Sequence, residues 1–148
     1  MSRNLIEVTS AIKQGGEVDA LDQEGRTPLF YAAQNGDNAI AVELIEHGAN
    51  LNAQDKNLET PLHFAARAYQ FELAELLLKK GAHVDTTDDQ GNTPLSRAVY
   101  DSKGRDQVIK LLLSFGANKA LSNKHGVSPE TLAQTIGNYD ISPFLKGN

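Results

Sequence analysis

The chain has 148 residues and a net charge of −5; 40% of it is apolar and 22% charged. That balance suits one compact domain with its own core and argues against disorder, while the acidic excess disfavours nucleic acid and anionic membrane as partners. The sequence contains no cysteine, so disulfides, thiolate zinc sites and a cysteine nucleophile are excluded. Residues 1–10 carry Glu7 within their one apolar stretch and hold no signal-peptide core. No apolar run is long enough to span a bilayer, and the expected location is the cytoplasm.

Along the chain, residues 1–21 come first. Leu5, Val8, Ala11 and Ile12 form one apolar stripe ending at Gly15, which predicts a lone capping helix. Residues 22–54 hold Thr27-Pro28-Leu29, the pair Ala32-Ala33, an apolar run at Ile40, Ala41, Leu44 and Ile45, and Gly48-Ala49. Residues 55–87 repeat this 33 residues later with Thr60-Pro61-Leu62, Ala65-Ala66, Leu73, Leu76, Leu77 and Gly81-Ala82. Residues 88–122 repeat it again with Thr93-Pro94-Leu95, Ala98-Val99 and Gly116-Ala117, the last pair delayed by two residues. Residues 123–148 hold a weaker copy: Asn123, Gly126, Ser128-Pro129, Leu132-Ala133, then Gly137 in phase with Gly36 and Gly104. Pro143 limits a second helix there, and Asn138, Asp140 and Lys146 suit a polar end face. The expectation is a stack of three full units closed by a partial one at each end.

The repeated positions have physical reasons. Thr before Pro places a capping oxygen ahead of a residue suited to the first helical turn. Paired alanines let a second helix approach closely, and apolar residues then return at helical spacing. Lys79 and Lys80 sit in a last turn, and Glu75 can pair with Lys79. The glycine that follows supplies a left-handed stop, and Asp, Asn and Gly before the next Thr-Pro suit a tight reversal. Each unit reads as helix, turn, helix, extended finger.

Thr60-Pro61-Leu62-His63-Phe64-Ala65 is the full Thr-Pro-Leu-His-x-Ala signature of the ankyrin-repeat family, which the chain therefore resembles. Thr27-Pro28-Leu29-Phe30-Tyr31-Ala32 and Thr93-Pro94-Leu95-Ser96-Arg97-Ala98 match it except at His, and the resemblance spans about residues 4–145. It implies an all-α repeat solenoid, an ankyrin-repeat stack with β-hairpin-like fingers. It further implies binding of a protein through the finger tips and the exposed side of the first helices.

Catalytic chemistry finds little support. His63 lies in the signature, where it serves a hydrogen bond within the turn, and His47 precedes a helix-ending glycine. His83 and His125 fall in fingers, and no two histidines share a metal-binding helical spacing. The acidic pair Asp88-Asp89 suits a finger turn; no phosphate loop and no Gly-x-Ser-x-Gly elbow is present. The expectation is a non-enzymatic protein without metal or cofactor.

The groove positions expected to meet a partner are Glu24, Arg26, Asn57, Leu58, Glu59, Gln90 and Asn92 on the fingers. Arg67, Tyr69, Arg97, Tyr100 and Asp101 join them from the first helices and their ends. Side chains there are expected to be free of any role in holding the stack together. Leu58 stands where the other fingers have Gly25, Gly91 and Gly126; a leucine would be strained at positive φ, so Asn57 or an altered turn is expected to absorb that geometry. Tyr69 either closes over a neighbour or meets a partner. Phe71 is expected in the core, and Ser102-Lys103 is an insertion beside Tyr100. Arg97, where other repeats have Tyr31 and Phe64, is expected to reach a carboxylate across the groove. The leading functional expectation is a cytoplasmic, monomeric inhibitor of a protein partner, such as an immunity protein neutralising a toxin or effector. The alternative is a regulatory or assembly subunit in transcription or signalling.

Overall fold

The computed structural model describes residues 10–136 and Pro143. Residues 10–13 are helical, and Ile12 packs against the core. The expectations for Leu5 and Val8, and for the end face at Gly137, Asn138, Asp140 and Lys146, lie outside the described residues. Seven helices follow: α1 (Pro28–Asn35), α2 (Asn38–Glu46), α3 (Pro61–Arg67), α4 (Phe71–Lys79), α5 (Pro94–Tyr100), α6 (Gln107–Ser114) and α7 (Pro129–Thr135).

They form two layers. The first helices stack in the order α1, α3, α5, α7, the second helices in the order α2, α4, α6, and each pair packs across the layers. Leu29, Leu62 and Leu95, each following a proline, are fully buried. Ala33, Ala65, Ala66 and Ala98 are also fully buried, so the absence of a bulky side chain is what brings the two layers together. Leu44, Leu73, Leu77, Ile109 and Leu112 close the core from the second layer, and Phe71 packs half-buried at its margin. Glu75 and Lys79 pair at 3.0 Å as the spacing predicts.

The capping oxygen works in three repeats of four. Thr60, Thr93 and Ser128 each accept from the backbone N–H three residues on, while His63, Ser96 and Thr131 return a bond to the cap. At Thr27 the third residue is Phe30, whose side chain carries no polar atom, and the buried Thr27 hydroxyl has no partner among the described residues. Thr27→Val is therefore expected to change the unfolding free energy by less than about 0.5 kcal/mol, against a loss of about 1–2 kcal/mol for Thr60→Val. Denaturant titration of the two variants measures this directly; equal losses would mean that the Thr27 hydroxyl is satisfied.

The fingers are four copies of one turn. The Oδ1 atoms of Asp22, Asp55, Asp88 and Asn123 each accept from backbone N–H groups two and four residues on, at 2.8–3.0 Å. Adjacent fingers are then tied through the backbone: Lys56 donates to Glu24, Asp89 to Asn57 and Lys124 to Gln90, at 2.9–3.0 Å. These turns are hairpin-like without forming strands among the described residues. They set the spacing of the concave face.

Candidate functional site

The concave face is built where the fingers meet the first helices. Its centre is an ion network between the second and third repeats. Arg97 Nη2 donates to Asp88 Oδ2 at 2.5 Å and lies 3.5 Å from Glu59 Oε1; Arg67 Nη1 donates to the same Glu59 oxygen at 3.0 Å. The Asp88 and Glu59 side chains are almost wholly buried. Burial pushes the Glu59 carboxyl up, with the two guanidinium groups pulling the other way. At Asp88 burial acts in the same sense, but the backbone N–H of Asn92 and the charge of Arg97 prevail and hold it below the usual carboxylate value.

One repeat earlier the same place is filled by a ring. Arg26 lies 4.9 Å and Arg67 4.7 Å from the centroid of Phe64, whose edge contact with Phe30 has centroids 5.4 Å apart at 79°. Arg26 Nε also donates to the buried Asp55 at 3.1 Å. Tyr31, at the outer end of this face, donates its hydroxyl to Asp22.

Below the network, His63 is fully buried and links two repeats. Its Nδ1 accepts from the Thr60 backbone N–H at 3.1 Å, and its Nε2 lies 3.0 Å from the Asn92 carbonyl. These partners require a neutral ring with the proton on Nε2. Burial pulls its pKa down to about 4 despite the favourable Asn92 carbonyl.

The expectation that groove side chains take no part in the stack is corrected at five positions. Arg26, Glu59 and Arg97 form the charged contacts between repeats just described. Asn92 accepts from His63 through its carbonyl and from the Asn123 amide through Oδ1 at 2.8 Å. Tyr69 closes over its neighbour: its hydroxyl donates to the Ala98 and Arg105 carbonyls at 3.1 and 2.7 Å, and Arg105 lies 4.0 Å from its ring centroid. Arg105 also donates to the Ser102 and Asp101 carbonyls, so the Ser102-Lys103 insertion is pinned, with Ser102 buried.

Glu24, Asn57, Leu58, Gln90 and Tyr100 do face solvent, Arg67 is partly exposed and Asp101 half-buried at its helix end. Leu58 itself takes φ 58°, so the strain is not passed to Asn57. The turn is unchanged too: the Leu58 N–H donates to the Asp55 carbonyl at 2.9 Å, as Gly25 does to Asp22. Leu58 is 47% exposed and Tyr100 67%.

Sequence reasoning missed Asp55 and Asp88 as ion partners and Phe64 as a ring between two guanidinium groups. The signal was the acidic residue five positions before each Thr-Pro at Asp22, Asp55 and Asp88. Among the described residues no cluster of histidine and carboxylate has the make-up of a metal site, and no helix is long and apolar enough to cross a membrane.

A family model of ankyrin repeats, in three copies, matches residues 2–88 and 52–123. The chain belongs to the ankyrin-repeat family. No curated protein matches it. Ankyrin repeats generally mediate protein–protein interaction and are typically non-enzymatic interaction modules, which implies a protein partner for this chain.

Proposed function

We propose that this ankyrin stack binds a protein partner through the concave face, anchored by Leu58 and Tyr100, and thereby blocks the partner's activity. A bacterial immunity protein that neutralises a toxin in the cytoplasm would act in this way. The observation that carries the groove reading is Leu58, an exposed apolar side chain at φ 58° where Gly25, Gly91 and Gly126 take φ 74–82°. A left-handed leucine costs roughly 1–2 kcal/mol that glycine avoids, and half of its surface stays in water. Strain retained for a side chain that stays half in water points to use elsewhere. Tyr100, exposed at the end of the first helix of the next repeat, adds area and a polar tip. Blocking needs only a rigid face that occupies the partner, and the pinned insertion, paired charges and tied fingers supply that rigidity.

Leu58→Gly is expected to leave the protein as stable as before or more stable by up to about 1 kcal/mol, while weakening partner binding about tenfold or more. The test is affinity capture from the source organism, then titration of the captured protein with the natural chain, Leu58→Asp and Tyr100→Ala. Both variants should stay folded and lose affinity. If both keep full affinity, the groove is not the binding face. A captured protein that keeps its activity in the complex would instead favour a regulatory or assembly role.

A further inference from the structure

The three interfaces between successive repeats solve the same packing problem with different residues. Each places a finger residue just before the capping Thr, the third residue after that Thr, and the fourth residue after the cap of the next repeat. Between the first and second repeats these are Arg26, Phe30 and Phe64, and they fill the space as a ring beneath a cation. Between the second and third they are Glu59, His63 and Arg97, and they fill it with an ion network. Between the third and fourth they are Asn92, Ser96 and Leu132, smaller than the first set at all three positions. A cavity of about 290 Å³ opens there, lined by these three and by Arg97, Tyr100 and Val127 among others.

We propose that this cavity receives an aromatic side chain of the protein partner, which takes the place that Phe64 holds two repeats earlier. The proposal rests on the groove reading above. Leu132 and Val127 give the cavity an apolar wall, and Arg97 offers a guanidinium to a ring as Arg26 does to Phe64. Tyr100 stands exposed at the rim, positioned to close over a ring. An anionic side chain fits less well, because Asp88 and Glu59 already offset the charge of Arg97.

The direct test titrates N-acetyl-phenylalaninamide and N-acetyl-alaninamide, at matched millimolar concentrations, into the isotopically labelled protein and follows backbone amide shifts. The phenylalanine compound should give saturable shifts at residues 96, 97, 100, 127 and 132 that the alanine compound does not. Identical responses to the two would overturn the proposal. Leu132→Phe, which fills the cavity from within, should raise the melting temperature by a few degrees and abolish those shifts. It should also weaken the captured partner about tenfold or more. A partner that loses affinity with Leu58→Asp but binds Leu132→Phe normally would sink the aromatic pocket and leave the groove reading standing. A partner indifferent to both would remove the groove reading itself.

Discussion

Arg97→Ala is expected to lower the unfolding free energy by about 2–4 kcal/mol, a large loss for a partly exposed residue. Arg97 sits where the preceding repeats have Tyr31 and Phe64, and its guanidinium faces two side chains with almost no access to water, Asp88 and Glu59. Removing it strands buried charge, and stranded charge costs far more than the net worth of an intact pair. Asp88 would keep its backbone donors from Gln90 and Asn92, and Glu59 would keep Arg67. Those remaining partners keep the loss at or below the lower part of the about 3–5 kcal/mol that breaking a buried pair costs. Tyr100→Ala, an exposed change in the same helix, should cost under about 1 kcal/mol. Urea titration measures both, and a double-mutant cycle of Arg97→Ala with Glu59→Gln should show coupling of about 1–2 kcal/mol. Because a repeat stack is stabilised by nearest-neighbour interfaces, weakening this one should also broaden the transition of Arg97→Ala.

The second large effect is on pH. His63 is held neutral in the folded chain down to a pKa of about 4, whereas an exposed histidine protonates near its ordinary value of 6.5. Below that value the unfolded chain takes up a proton that the folded chain refuses. The stability contributed by neutral His63 is therefore complete above pH 6.5 and is lost as pH falls toward 4. The loss between pH 7 and pH 5 should reach about 2 kcal/mol from this residue. Glu59 acts in the opposite sense, since its raised pKa lets the folded chain bind a proton more readily. His63→Phe places in the second repeat the residue that the first repeat has at Phe30. It should be less stable at pH 7, because the Asn92 carbonyl loses its donor, yet show a flatter profile between pH 7 and 5. An unchanged slope in His63→Phe would show that another group carries the acid sensitivity.

The fold was legible because its determinants are local. Thr60-Pro61, Ala65-Ala66 and Gly81 each act within a turn or two of chain, and three in-phase copies leave one architecture. The groove was legible only in part. Glu59 precedes a capping threonine and reads as a surface position, yet it is buried and pairs with Arg67 and with Arg97 of the next repeat. Phe30 reads as one more apolar residue, and its consequence, an unpaired Thr27 hydroxyl, needs the capping geometry to be seen. Leu58 was marked by the glycines at its equivalents. That leucine itself takes the left-handed conformation follows from the finger-to-finger backbone ties at Lys56 and Asp89, which hold the turn whatever the side chain. Tyr69 shows the limit most plainly. Its sequence permits a partner contact or a stacking contact, and only the Ala98 and Arg105 carbonyls decide between them.

Hydrogen exchange on the complex with the captured partner tests the central claim most directly. Binding through the concave face should slow exchange at the finger tips around residues 57–58, 89–91 and 124–126 and at the end of α5 around Tyr100, leaving the outer faces of α2, α4 and α6 unchanged. Protection confined to α2, α4 and α6, with the fingers exchanging as in the free chain, would contradict it.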